Sequence, residues 1–177
     1  MGMFMPSWLD GPLTPQKAES SQGGLEDGMA AEFRVLPESA VVPVPEYLSI
    51  EQAATLPCAA LTAWNALFEN RPLTNDQSVL VRGTGGVSMF ALQFASALGC
   101  QVLATTSRNE RADQLSTLGA SGICNYLDAD WTEWAIAETG GAGVDFIVDS
   151  VGGETLNQST ETARMGGYIA LMGVLAG

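Results

Sequence analysis

Residues 79–95 read VLVRGTGGVSMFALQFA: an apolar run, a glycine-rich turn and a helix-period segment in direct succession. No other feature constrains the fold as much. The run Val79-Leu80-Val81 lacks polar alternation, so as a strand it must be buried on both faces. Such a strand belongs inside a parallel sheet, and the helix after it supplies a crossover. Gly83, Gly85 and Ser88 fall at the spacing of G-x-G-x-x-G. In that pattern Gly83 makes the tight turn and Gly85 lets a pyrophosphate approach the backbone. The helix beginning near Gly86-Val87 then aims unpaired N–H groups and its positive end at the anion. Ser88 stands where a third glycine would allow close helix–strand packing; it is small, and its hydroxyl can donate to a phosphate. No Gly-Lys-Ser/Thr follows, which argues against a P-loop. A bare strand-to-helix turn without ligand and a site for another nucleotide or phosphate are the competing readings, and strand–turn–helix context favours a dinucleotide site over them.

The same rhythm continues to the C-terminus. Strands are predicted at Ser78–Val81, Gln101–Thr105, Gly122–Asn125, Val144–Asp149 and Gly167–Met172. Helices are predicted at Val87–Leu98, Asn109–Leu118, Trp131–Glu138 and Glu154–Arg164. Val87, Phe90, Ala91, Phe94, Ala95 and Leu98 form the apolar stripe of the first helix, and Gly99 stops it. Asn109 is the expected cap of the second helix, and Gly119 its stop. Trp131 and Trp134 read as packing residues. The class is α/β, a doubly wound parallel sheet with right-handed crossovers.

The first third reads differently. Residues 1–29 are rich in Gly, Pro, Ser and Met without a sustained period, which predicts loop. Met3, Phe4, Met5, Trp8 and Leu9 are too apolar for a free tail. Ala30–Val35 and Ala40–Pro45 read as short strands around a turn at Pro37–Ser39. Ser49 and Gln52 have capping-box spacing at the start of a short helix. Pro57 breaks or kinks it, and Cys58–Phe68 forms another, with Leu61, Trp64 and Leu67/Phe68 on one face.

Charge narrows the ligand. Twenty acidic residues against seven basic give a formal net charge of −13. No Lys/Arg stripe exists to neutralise a nucleic-acid backbone, so a nucleic-acid partner is not expected. One small phosphate-bearing ligand needs only a few amides and an arginine. The chain has no histidine, which removes histidine acid–base and metal chemistry from these residues. Cys58, Cys100 and Cys124 are widely spaced and show no C-x-x-C, which points to a reducing, cytoplasmic setting. No apolar run long enough for a membrane span and no signal peptide is expected.

Dinucleotide sites that select NAD usually carry an acid at the end of the second strand, about 20 residues past the loop. Here that place reads Thr105-Thr106-Ser107-Arg108-Asn109-Glu110-Arg111. Hydroxyls and Arg108 occupy the strand end, where a carboxylate would repel a 2′-phosphate. The expected cofactor is therefore NADP, with NAD possible. Arg108 as a solvated helix-start residue is the competing reading.

These residues resemble a known family. ATLPCAALTAWNALFE, followed by VLVRGTGGVSMFALQFASALGCQVLATTS, is similar to the zinc-independent branch of the medium-chain alcohol dehydrogenase/quinone oxidoreductase superfamily. LGASGICNY, GVDFIVDSVGGETL and GGYIALMGVLAG continue the resemblance in order, and WLDGP and AEFRVLPESAVVPVPEYLSIEQAATLP extend it upstream. The resemblance implies a Rossmann sheet of about five strands, order 3-2-1-4-5, preceded by a remnant of a GroES-like β domain. It divides the chain into a partial catalytic-domain segment (1–47), connecting helices (48–76) and an incomplete NAD(P)-binding domain (77–177).

By that resemblance Gly83, Thr84, Gly85, Gly86, Val87 and Ser88 hold the pyrophosphate, and Thr106, Ser107 and Arg108 surround the adenosine phosphate. Tyr126 approaches the same ribose phosphate, or simply covers the sheet edge. Asp149, Ser150 and Val151 lie near the adenosine ribose, although Asp149 can equally cap the turn that follows it. Met172, Gly173 and Val174 lie near the nicotinamide. Thr62 matches a helix hydroxyl touching that ring, or satisfies a helix carbonyl. Arg82, at the strand exit, either meets the absent domain or reaches solvent.

The implied activity is hydride transfer between NADPH and an alcohol or carbonyl, or an activated alkene such as a quinone or enone. Cys58 matches the place of a catalytic zinc ligand in zinc-containing relatives. One cysteine cannot make such a site, so a core cysteine and no zinc are expected. Tyr47, Tyr126 and Tyr168 form no convincing acid–base pair, and no catalytic residue is assigned. The chain is expected to be an internal fragment, inactive alone, whose full-length form is a possible homodimer. A non-catalytic dinucleotide-binding pseudoenzyme or interaction module is the alternative.

Overall fold

The structure is a computed structural model that describes residues 1–173. The chain divides into two compact units, Met1–Leu61 and Thr62–Gly177. The boundary falls inside the segment expected to connect the domains.

The first unit has little regular structure. Pro15–Glu19 forms helix α1, capped by Thr14, whose side chain accepts from the Lys17 amide. Thr14-Pro15 is an N-cap followed by proline at N1, a start signal that the reading of 1–29 as loop passed over. The two expected strands at 30–35 and 40–45 do not form; the unit has only isolated bridges, Gly2 with Val41 and Gln22 with Glu26. Residues 1–3 take the pairing instead. The Met3 amide donates to Ala40 O and the Val42 amide to Met1 O, both at 2.9 Å. Two short strands without a third layer cannot bury a face, and Phe33 and Val35 are 91% and 95% exposed.

Ile50–Ala54 forms α2, and its capping box is present as expected: Ser49 accepts from the Gln52 amide while Gln52 accepts from the Ser49 amide. Pro57 sits in a π-helical turn, Leu56–Ala60. The extra residue in that turn changes which side chains face inward. Ala60 is buried and Cys58 is exposed, so Cys58 is not a core residue. The helix beyond it, α3, runs Leu61–Phe68, three residues shorter at its start than expected.

The second unit is the doubly wound sheet. Strands β1 (Ser78–Val81), β2 (Gln101–Thr106), β3 (Gly122–Asn125), β4 (Val144–Asp149) and β5 (Ala163–Leu171) pair in the order β3-β2-β1-β4-β5. Every pair is parallel. Helices α4 (Gly86–Leu98), α5 (Ala112–Thr117), α6 (Trp131–Glu138) and α7 (Leu156–Thr162) make the connections.

Period-2 alternation divides the strand side chains between two cores. Val79, Val81, Val102, Ala104, Phe146 and Val148 share one face with Leu67, Ala91, Leu92 and Ala95. Leu80, Leu103 and Ile147 share the other with Trp131 and Ala135. Each fully buried Val, Leu, Ile or Phe side chain among these contributes roughly 1.5–3 kcal/mol. On α4 the buried stripe is Ser88, Ala91, Leu92 and Ala95, while Phe90 and Phe94 are half-buried and Leu98 is exposed. The small residues face the sheet because they allow the helix to lie close.

The last crossover differs from expectation. The helix ends at Thr162, and Ala163 already pairs with Val144. Regular pairing resumes at Tyr168 with Phe146, close to the expected strand start. Between them Met165 is 96% exposed and Gly166 has φ +74°. The irregularity is anchored by Arg164, whose guanidinium pairs with Asp145.

Candidate functional site

The order β3-β2-β1-β4-β5 places a topological switch point between β1 and β4. From β1 the chain winds outward through β2 and β3, then crosses to β4 on the other side. The two connections leave β1 and β4 in opposite directions, which opens a crevice at their carboxyl ends.

The glycine loop stands at this crevice. Gly83 has φ +77°, a region closed to most side chains, and its amide donates to Thr105 Oγ1 at 3.1 Å. That bond ties the loop to the end of β2. Gly85 occupies the N-cap of α4 with extended backbone and has no side chain to satisfy the first-turn amides. Those amides have no intrahelical acceptors. A Cβ built on Gly85 meets no protein atom within 4 Å. The protein itself therefore does not demand glycine at 85, whereas a ligand lying against the backbone would.

Ser88 does not face this space. It is 1% exposed, and its hydroxyl donates to Arg82 O at 2.9 Å and lies 3.0 Å from Ser150 Oγ. Its side chain is spent on the contact between the helix and the strand end. What Ser88 offers an anion is its amide.

The carboxyl ends of β2 and β3 form one wall. Thr106 pairs in register with Asn125, and the Tyr126 amide donates to Thr106 O at 3.0 Å. The Thr106 hydroxyl is buried and accepts from the Arg108 amide at 3.1 Å. Ser107 is half-buried; Arg108 and Tyr126 are exposed. The Asn109 side chain does not cap the following helix. It bonds Asn125 and Asp128 and closes the loop after β3.

Arg111 was not among the residues singled out from sequence. Its guanidinium reaches back from the start of α5 to Thr84 O at 3.4 Å. It is half-buried beside the glycine loop. Thus Arg108 and Arg111, two of seven basic residues in a chain of net charge −13, stand at this one strand end. The signal in the sequence was a second arginine, Arg111, three residues after Arg108 at the end of β2.

The opposite wall is built from the loop after β4. Asp149 is fully buried. Its Oδ1 accepts from the Val151 and Gly152 amides, both at 3.0 Å. Its Oδ2 accepts from Ser159 Oγ at 2.7 Å and Arg82 Nη1 at 2.8 Å. Burial pushes the carboxyl's pKa up, but the Gly152 amide, the Ser159 hydroxyl, the Val151 amide and the Arg82 charge together outweigh it and hold it below the usual range. The side chain is thus committed to capping the turn, and Asp149 shapes the wall rather than presenting its carboxylate to the crevice.

Arg82 is 5% exposed and reaches neither solvent nor another domain. Its guanidinium carbon lies 4.6 Å from the centroid of the Trp131 ring. Trp131 is buried, as expected for a packing residue.

Val151, half-buried, and Gly152 follow, and the Met172 amide donates to Asp149 O at 2.9 Å. Met172 also lines a hollow of about 350 Å³ with Thr62, Asn65 and Asn70, between α3 and β5. Thr62 and Met172, both expected near a nicotinamide, therefore border one space. Val174 lies outside the described residues. The larger hollow, about 640 Å³, opens at the other end of the strands, among Ser78, Gln101 and Asp145, away from the glycine loop.

Comparison with known proteins places this geometry. Residues 86–177, just over half of the chain, match the family described as zinc-binding dehydrogenase. A zinc-type alcohol dehydrogenase-like protein of Schizosaccharomyces pombe is 41% identical over 176 residues, covering 98% of this chain and 51% of that protein. A Sinorhizobium meliloti structure, provisionally described as an alcohol dehydrogenase, superposes with TM-score 0.91 at 42% identity over 99% of this chain and 52% of that one. A quinone oxidoreductase of Pseudomonas syringae superposes with TM-score 0.72 at 29% identity, over 78% of this chain and 43% of the other. The chain spans about half the length of the relatives it matches.

The family description implies zinc, and the residues present do not fit it. Among the described residues no group of three or more His, Cys, Asp or Glu is placed to hold a metal ion. Cys58 is exposed in the first unit, and Cys100 and Cys124 belong to the sheet unit. No helix among the described residues is long and apolar enough to cross a membrane. With a five-stranded parallel sheet in the order 3-2-1-4-5, a glycine loop at its switch point and matched relatives of the same architecture, the chain belongs to the zinc-binding dehydrogenase family, within the medium-chain alcohol dehydrogenase/quinone oxidoreductase group of oxidoreductases.

Proposed function

We propose that this chain carries the dinucleotide-binding part of an NAD(P)-dependent oxidoreductase that prefers NADP and works without zinc. The observation that supports it most is the uncapped N-terminus of α4, which opens beside a glycine position where the protein leaves space. The amides of Gly85, Gly86, Val87 and Ser88 hold the diphosphate, and Gly83 and Thr84 turn the chain beneath it. Thr106, Ser107 and Tyr126 flank the adenosine ribose. Arg108 and Arg111 receive the 2′-phosphate, which a carboxylate at the same place would repel.

The bound dinucleotide supplies hydride transfer at its nicotinamide ring. Thr62, Met172 and Gly173 border that ring, and Val151 and the turn capped by Asp149 complete the wall. The substrate is an alcohol or carbonyl, or an activated alkene such as a quinone or enone. Residues 1–47 belong to the catalytic domain and residues 77–177 to the dinucleotide domain. No acid–base pair is assigned for a substrate oxygen, and the 177-residue chain is expected to bind cofactor without turning over substrate.

Parallel fluorescence titrations with NADPH and NADH test this. Saturable binding with NADPH tighter than NADH is the expected result. Equal affinities remove the NADP preference, no binding of either removes the cofactor site, and steady turnover by the chain alone overturns its expected inactivity.

A further inference from the structure

Arg82 grips both ends of the turn that follows β4. At its start, Arg82 Nη1 pairs with Asp149 Oδ2 at 2.8 Å. At its end, Nη2 donates to Thr155 Oγ1 at 2.9 Å and Nη1 to Thr155 O at 3.4 Å. Between them lies Gly152. The two residues that Arg82 holds also hold Gly152: Asp149 Oδ1 accepts its amide, and the Thr155 hydroxyl donates to its carbonyl, each at 3.0 Å. Ser159 Oγ, 3.1 Å from Nη1, locks the same guanidinium to α7, and Trp131 closes over its face.

The main chain of Arg82 does the matching work on the other side of the crevice. Its amide donates to Val148 O, and its carbonyl accepts from both Ser88 Oγ and Ser150 Oγ at 2.9 Å. Gly83 begins at the next residue. One residue thus fixes the base of the glycine loop through its backbone and the facing turn through its side chain.

We infer that Arg82 is a positioning residue that sets the crevice wall at residues 149–155 against the glycine loop. The geometry rests on the fold alone; its consequence for cofactor affinity rests on the dinucleotide reading above. A lysine at 82 keeps the positive charge beside Asp149, so the buried carboxylate stays compensated. Its single ammonium cannot span Asp149, Ser159 and both Thr155 oxygens as a planar fork does. The far end of the turn is then released while the sheet stays closed.

Two variants of the 177-residue chain test this, Arg82→Lys and Arg82→Met. Arg82→Met leaves Asp149 unpaired and is expected to destabilise the whole fold, so Arg82→Lys decides. In Arg82→Lys the Val151 and Gly152 amides should exchange with solvent about tenfold faster, with the β1 and β2 core amides unchanged, as for loss of one member of a hydrogen-bonded network. NADPH affinity should fall by about the same factor. Exchange that rises evenly over strands and turn, or stays unchanged at 151 and 152, would overturn the inference, as would an unaltered NADPH affinity. Wild-type chain that binds no NADPH would remove the dinucleotide reading, and the exchange rates would still decide the role of Arg82.

Discussion

Gly152 and Gly173 are packed backbone to backbone: a Cβ on Gly152 would stand 2.3 Å from Gly173 O, and one on Gly173 would stand 2.3 Å from Val151 C. Gly152 also has φ +69°. The ends of β4 and β5 can meet only because neither position carries a side chain. Gly152→Ala should cost about 2–4 kcal/mol, from positive φ and from overpacking against backbone that cannot yield. Urea unfolding of the variant checks this; an unchanged midpoint would show that the two loops are not packed as described.

Gly85 gives the opposite kind of test. Nothing in the protein lies within 4 Å of its would-be Cβ, and its φ is −76°. Gly85→Ala should therefore change stability by less than about 1 kcal/mol, the scale of an altered N-cap. Its NADPH affinity should nonetheless drop more than about tenfold, because the methyl group occupies the space of the diphosphate. Equal NADPH affinity in variant and wild type would show that the open space is not the ligand's.

Arg108 and Arg111 should separate the two cofactors. Arg111→Ala should weaken NADPH about tenfold, the lower range for a charge-assisted hydrogen bond, and should barely affect NADH. Arg108→Ala should move the NADPH to NADH ratio in the same direction. Ratios unchanged in both variants would mean that neither guanidinium meets a 2′-phosphate.

Two carboxylates make the fold acid-sensitive. Burial raises the pKa of Asp145, but the Ser78 amide and hydroxyl and Arg164 more than offset it and leave it lowered. Asp149 is lowered likewise. In the unfolded chain both return to about 3.9. The stability they contribute is fully present above that value and is lost as pH falls through the lower folded values. Urea midpoints should therefore hold level from these groups down to about pH 4 and fall below it. In Asp145→Asn the fall should be shallower; an identical slope would show that Asp145 is not lowered in the fold.

The sheet was legible because buried parallel strands and small-residue helix faces leave a strong local signal in 78–149. The first unit was not. Whether 40–42 pairs with 30–35 or with residues 1–3 depends on contacts distant in sequence, and local patterning does not decide that. Alternation could have located Arg82. It lies two residues after Leu80, Asp149 lies two after Ile147, and Leu80 pairs in register with Ile147. Extending that register by one step of period 2 sets Arg82 opposite Asp149 on the buried face. Reading Arg82 as the exit of a strand, rather than as its continuation, hid the pair. Ser88 was placed by its motif, which fixes position but not the direction of its hydroxyl.

Amide spectra of the chain, titrated with NADPH to saturation, test the central claim most directly. The signals of Gly85, Gly86, Val87 and Ser88 should move together, while those of Asn75, Gly99 and Thr139 at the far hollow stay in place. Saturating NADPH that leaves residues 85–88 unmoved would contradict a diphosphate held at the start of α4.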